Sequence, residues 1–300
     1  MRRLFTLVAL ATLTAASTAG AQRPLKVYIS VDMEGITGVA SADQLSPASF
    51  EYQRAREWMT NEVNAAIQGA REAGATEFVI SDSHGNGQSL LIDKLPIDLP
   101  VMIVRSFPRP LGMMEGIDST FGAVIFIGYH AATTSMTGVR AHTVSSALLT
   151  KISLNGTPQS EAGINAAIAA HFGVPVVMIT GDDAIVDETK QRLGNIEGVA
   201  VKHAIGFHSV ATMVPEKAAA LIRTHAKIAV GRRAEMKPYT MSKPVTVDVS
   251  FKNYRPVELL GYLSNVQRVD AHTVRLVGRD IVEVSKFLEF ITSYDPTMTP

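Results

Sequence analysis

Residues 25–35 read LKVYISVDMEG. The stretch Leu25–Val31 is a short, mostly apolar run rich in β-branched residues, which predicts a strand. A near-continuous apolar run suits a strand covered on both faces, as in a parallel sheet. The same texture returns at Glu77–Ser81 (EFVIS), Ala123–Ile127 (AVIFI) and Val174–Thr180 (VPVVMIT). Between these runs, residues from about Ser46 to Ala73 carry apolar positions at helical spacing and stop at Gly74, a C-cap. Ser160–Phe172 (SEAGINAAIAAHF) reads as a second helix after a turn at Asn155-Gly156. Strands alternating with helices predict an α/β fold, with a largely parallel central sheet flanked by helices. From Pro244 the texture changes. VTVDVSF alternates like an antiparallel strand, Thr273–Val277 forms another, and Ile281–Tyr294 reads as a helix. The expected organisation is an α/β core over residues 22–243 and a small α+β extension of the same domain over residues 244–300.

Residues 1–21 read as a secretory leader. Arg2 and Arg3 form a basic start, Leu4–Ala16 is a mostly apolar stretch without charge, and Ala19-Gly20-Ala21 offers a small-residue cleavage site. The apolar run is shorter than the roughly 20 residues that a bilayer-spanning helix needs. The sequence therefore predicts an exported, bacterial-type chain, periplasmic or extracellular, with no stable membrane insertion after cleavage. The 28 Lys and Arg balance 28 Asp and Glu, which gives no reason to expect a nucleic-acid partner. Cysteine is absent, so any metal must be held by His, Asp and Glu. That donor set suits zinc, manganese or magnesium and excludes iron–sulfur and Cys-zinc sites.

The residues with chemistry to offer stand just past the apolar strands. The first strand runs into Asp32-Met33-Glu34-Gly35, and residues two apart in an extended chain point to one side. Asp32 and Glu34 can thus converge on one ion. The second ends in Asp82-Ser83-His84, the third in Gly128-Tyr129-His130, the fourth in Gly181-Asp182-Asp183. Taken singly, each has an ordinary structural reading. An Asp-x-Glu can cap a turn, a lone His can be a hydrogen-bonded loop residue, and Asp182 or Asp183 can cap a following helix. Ligands of α/β sheets bind beyond the carboxyl ends of the strands, so the coincidence at four strand ends favours a metal site. Composition and spacing do not name its reaction.

Ser30-Val31-Asp32-Met33-Glu34-Gly35, Asp82-Ser83-His84, Gly128-Tyr129-His130-Ala131 and Gly181-Asp182-Asp183, in this order, resemble the signature segments of the D-aminopeptidase family, peptidase family M55. Met114–Asp118 and Thr60–Asn64 resemble further family segments, and the likeness runs from about Lys26 to near the C-terminus. The resemblance implies two zinc ions per subunit, held by Asp32, Glu34, His84, His130 and Glu161, with Asp32 the natural bridge. It also implies a catalytic role for His142, in Gly138-Val139-Arg140-Ala141-His142. From the residues alone, Glu161 reads as a carboxylate favourable to the start of its helix, and His142 as a surface-loop histidine. His171, His203, His208, His225 and His272 read as structural or exposed. Asp82, Asp182 and Asp183 are candidates to orient ligating histidines.

The activity implied is removal of the N-terminal residue from a short peptide substrate, in particular D-amino-acid peptides such as D-Ala-D-Ala, by a water activated between two zinc ions. His142 would handle protons or stabilise the tetrahedral intermediate. The resemblance further implies a ring-like homo-oligomer, for which a decamer is one form. Two alternatives stand beside this reading. One is a metal-dependent amide or ester hydrolase of another substrate class. The other is a periplasmic solute-binding protein without metal. The segment Thr133–Thr137 departs from the family pattern before His142, which bears on substrate preference more than on metal binding.

Overall fold

The strand read at Leu25–Val31, β1, is an interior strand of the main sheet in the computed structural model, which describes residues 24–295. The leader read at residues 1–21 lies outside the described residues. β1 pairs in parallel with β2 (Ala75–Asp82) on one side and β4 (Phe121–Tyr129) on the other. β3 (Val101–Val104), β7 (Val176–Asp182), β8 (Glu197–Gly206) and β9 (Ser209–Thr212) complete a seven-stranded sheet of order β3-β2-β1-β4-β7-β8-β9. All its pairings are parallel except β8 with β9.

Alternate residues of the central strands feed two cores, as the pleat requires. Val27, Ile29 and Val31 of β1 join Ala123, Ile125 and Ile127 of β4 beneath α1 (Tyr52–Glu72) and α4 (Pro215–Gly231). Tyr28, Val124 and Phe126 point the other way, towards α2 (Glu161–His171) and α3 (Asp183–Leu193). Burying a Val or Ile side chain completely contributes about 1.5–3 kcal/mol, so this double coverage fixes the strands firmly. The strand ends can then present polar groups without losing their place.

The second core is closed by an antiparallel sheet. β5 (Leu149–Leu154), β6 (Thr157–Pro158), β10 (Val245–Phe251), β11 (Val266–Arg268) and β12 (Thr273–Gly278) lie in the order β11-β12-β10-β5-β6. The C-terminal strands thus find their partner in β5, which precedes α2 in the chain. α5 (Tyr254–Leu260) and α6 (Ile281–Ser293) complete the tail.

Several boundaries differ from the sequence reading. The first helix starts at Tyr52, because Ser46, Pro47 and Ser49 hold the preceding residues in turns. β4 and β7 run on to Tyr129 and Asp182, two residues beyond the apolar runs. No described helix is long and apolar enough to cross a membrane.

Candidate metal centre

The end of β1 and the end of β4 cross closely. The Asp32 amide donates to the Ile127 carbonyl at 2.8 Å and the Gly35 amide to the Gly128 carbonyl at 2.7 Å. A Cβ on Gly35 would collide with the Tyr129 carbonyl, and one on Gly128 with the Asp32 carbonyl. Gly128 also takes a φ of +69°, a conformation that costs glycine little. Two glycines therefore permit the approach that places Asp32 and Glu34 against His130.

Asp32 stands between two imidazoles. Its Oδ1 lies 3.3 Å from His84 Nδ1 and its Oδ2 lies 3.2 Å from His130 Nε2. Glu34 Oε2 reaches His84 Nδ1 at 2.9 Å, and Glu161 Oε2 reaches His130 Nε2 at 3.2 Å. Met33 N donates to Asp32 Oδ1 and Val144 N to Glu161 Oε1, so backbone amides orient both carboxylates. The outer nitrogens of the rings meet backbone carbonyls. His84 Nε2 is 2.9 Å from the Leu45 carbonyl, His130 Nδ1 3.2 Å from that of Ala131, and His142 Nδ1 2.8 Å from that of Arg140. Donation at the outer nitrogen leaves the inner one as a lone pair, the arrangement that metal-binding histidines use.

His142 lies flat on His130, with ring centroids 4.0 Å apart and planes at 8°. Its segment is held in a backbone conformation that side chains rarely adopt, since Arg140 and Val144 on either side have φ of +52° and +65°. Such strain persists only where surrounding contacts impose it. Here the Arg140 amide donates to the Phe207 carbonyl, the Val139 amide to Asp182, and the Val144 amide to Glu161.

Donor atoms of Asp32, Glu34 and His130 lie within 4.8 Å of one another, as do those of His130, His142 and Glu161. The donor set of imidazole nitrogen and carboxylate oxygen suits zinc. His130 Nε2 adds a specific sign. It is buried with no hydrogen-bond partner, although carboxylate oxygens stand 3.2 Å away on two sides. A buried polar atom without a partner is costly, and a cation shared with those oxygens would satisfy it. The residues present therefore fit a metal.

Electrostatics in the metal-free site agree. Burial raises the Asp32 carboxyl, and the Glu34 charge adds to the rise. Burial also works to raise Glu34 and Glu161, but the facing histidines outweigh it. Glu34 is held well below the usual carboxylate range by His84, and Glu161 at about 2 by His130. Burial works to lower the two histidines, yet Glu34 draws His84, and Glu161 draws His130, well above the ordinary imidazole range. A cation held by these residues would take the place of those protons.

All six residues singled out in the sequence thus meet at one place. The three aspartates make no hydrogen bond to the rings of His84, His130 or His142. Asp82 Oδ2 accepts from the Leu90 amide and makes no hydrogen bond to His84. Asp182 caps α3 through the Ile185 amide while also holding Val139, and Asp183 accepts from the Ala204 amide beside His203. The groups that do orient the rings are backbone carbonyls, which no side-chain pattern reveals. Beside the centre opens a cavity of about 340 Å³. Ile164 and Ile168 of α2, Leu111, Met113 and Leu288 of α6 give it an apolar wall.

A parallel sheet whose strand ends gather buried carboxylates and inward-turned imidazoles beside an apolar cleft defines a hydrolase of the metallopeptidase class. The chain belongs to the D-aminopeptidase family, peptidase family M55, whose sequence profile matches residues 25–290. It is 30% identical over 269 residues to the D-aminopeptidase of Bacillus subtilis (strain 168), covering 89% of this chain and 97% of that protein. A solved structure, the Zn-dependent D-aminopeptidase DppA from Bacillus subtilis, a self-compartmentalizing protease, superposes with a TM-score of 0.85 at 30% identity. That match covers 89% of this chain and 97% of the other. Family membership decides for the hydrolase over the solute-binding protein.

Proposed function

We propose that this chain is an exported, zinc-dependent aminopeptidase that removes the N-terminal residue of short D-amino-acid peptides, and that it works as a ring-like homo-oligomer. Asp32, Glu34, His84, His130 and Glu161 would hold two zinc ions. The observation that carries the reading is the place of Asp32, which turns one oxygen towards His84 and the other towards His130. A bridging carboxylate needs that disposition. Zinc, when bound, supplies a Lewis acid for the scissile carbonyl and a water acidic enough to attack near neutral pH.

The chain's own residues do the rest. The wall formed by Ile164, Ile168 and Leu288 takes a small apolar side chain and keeps water away from it. His142, with Nδ1 at the Arg140 carbonyl, offers Nε2 to the reacting atoms. It accepts a proton there and returns it to the leaving amine. The likeness to a D-aminopeptidase that is Zn-dependent and self-compartmentalizing supports zinc, D-peptides and an enclosed assembly for this chain. Its leader-like first 21 residues support export.

The test is hydrolysis of D-Ala-D-Ala and L-Ala-L-Ala by the protein starting at Gln22, with and without added zinc. Zinc-dependent cleavage of the D-form alone is expected. Cleavage of the L-form, or of neither, sinks the D-specific reading.

A further inference from the structure

Two buried charges outside the candidate ligand set grip the loop that begins at Glu34. Lys202, in the middle of β8, is fully buried. Its ammonium donates to the carbonyls of Glu34, Ile36 and Val39, at 3.0 Å for Ile36 and 2.6 Å for Val39. An ammonium has three donors, and all three go to one loop. Glu62, on the buried side of α1, approaches the same loop with the opposite charge. It is 1% exposed, and its Oε1 accepts from the Thr37 amide at 2.8 Å. The carbonyls of residues 34, 36 and 39 are thus taken by a cation and the amide of residue 37 by an anion.

Burying either charge is expensive, and an apolar pair of similar volume would avoid the cost. What the charges provide is direction. The Glu34 carbonyl is two bonds from the Cα that carries the Glu34 side chain, so a shift of that carbonyl shifts the carboxylate facing His84. Thr37 Oγ1 donates to the Met213 carbonyl and Gly38 N to Thr212 Oγ1, which ties the far side of the loop to the β9 strand and its next residue.

We propose that Lys202 and Glu62 are positioning residues: together they clamp residues 34–39, fix the direction of the Glu34 carboxylate, and so set the affinity of the centre for zinc. The inference rests on reading Asp32 and Glu34 as ligands. It does not depend on which peptide is cleaved.

The test is zinc titration of the metal-free protein against a chelator of known affinity, with the circular dichroism spectrum and thermal midpoint of each metal-free variant recorded alongside. Lys202→Met and Glu62→Leu remove the grip. Glu62→Gln keeps an oxygen for Thr37 N and should restore it. Groups that orient metal ligands typically change affinity by about 10–100-fold. The expected result is about tenfold or more weaker zinc binding in Lys202→Met and Glu62→Leu, with Glu62→Gln close to wild type. A role in stability alone would lower the midpoints and leave the zinc affinity of the folded protein unchanged, and that outcome overturns the clamp. If Lys202→Met does not fold, the two Glu62 variants decide: equal affinities overturn the proposal, a split supports it. Wild-type protein that binds no zinc sinks the ligand reading itself. Zinc binding that splits as expected without D-peptide cleavage sinks only the substrate reading.

Discussion

The imidazole of His142 is stacked on that of His130, 4.0 Å between centroids and 8° from parallel, with its Nδ1 2.8 Å from the Arg140 carbonyl. Packing and one hydrogen bond thus hold the ring, and the nitrogen left for chemistry is Nε2. General acid–base catalysis by a placed side chain contributes roughly 10²–10⁴-fold. We expect His142→Ala to lose turnover on that scale while zinc content stays at the wild-type value. Metal analysis and turnover on the same preparation check this. Loss of zinc in parallel with activity would make His142 a ligand instead, a role its place beside His130 and Glu161 allows.

Asp32 and Asp82 offer a contrast. Both are buried aspartates at the ends of neighbouring strands. Asp32 turns an oxygen to each of two histidines, whereas Asp82 accepts from the Leu90 amide and makes no hydrogen bond to His84. Asp32→Asn should weaken zinc binding by about tenfold or more, since an amide nitrogen replaces one ligand oxygen. Asp82→Asn should leave zinc affinity near wild type, because the amide oxygen can still take the Leu90 amide. Equal losses in the two variants, measured by the same titration, would defeat the geometric distinction.

The strand ends are legible in the sequence because the two-residue period and the apolar runs both report on a buried parallel sheet. Asp32, Glu34, His84 and His130 stand where that logic looks, but so do Asp82, Asp182 and Asp183, and the family resemblance is needed to separate them. Glu161 is not found that way, since α2 is buried nearly all round and its first residue looks like any acidic helix start. The tail's partner strand is hidden for a similar reason. LTKISL, at Leu149–Leu154, has polar residues at its second, third and fifth positions and reads weakly as a strand, although it pairs with β10. Lys202 and Glu62 do leave a trace. One is a lone charge inside the apolar run VAVKHAI, and the other shares a helix face with Met59, Val63 and Ala66. Their partners are backbone atoms of a distant loop, and a sequence pattern carries no sign of those.

Zinc should stabilise the protein more as pH rises. In the metal-free chain His84 and His130 have raised pKa values, burial opposing the rise and the Glu34 and Glu161 charges imposing it. Groups with raised folded pKa values contribute stability that is complete below the unfolded imidazole value of about 6.5. That contribution is lost as pH climbs through the folded values. Metal competes with the same protons, so its affinity increases over the same range. The zinc-induced rise in thermal midpoint should therefore be larger at pH 8 than at pH 6. A rise independent of pH would mean that zinc binds away from these rings.

Glu62 is a carboxyl that folding likewise pushes up. Burial raises it from 4.5 to about 7, against the pull of the Thr37 amide and the Lys202 charge. For a carboxyl whose folded pKa lies above its unfolded one, the protonated form favours folding. Its contribution is complete below pH 4.5 and is lost as pH rises through about 7. Each tenfold change in proton affinity is worth about 1.4 kcal/mol, so the loss amounts to a few kcal/mol, or several degrees in thermal midpoint. Glu62→Gln keeps an acceptor for Thr37 N and cannot ionise. The midpoint of the metal-free wild type, relative to that of Glu62→Gln, should therefore fall between pH 5 and pH 8. The titrations of His84 and His130 are common to both proteins and drop out of the difference, whereas Lys202, which burial lowers to about 8 against the pull of Asp182 and Glu62, contributes to it at the upper end of the range. A difference that stays constant across this range would show that Glu62 remains ionised throughout. The clamp on residues 34–39 would then be a charged pair even in mild acid.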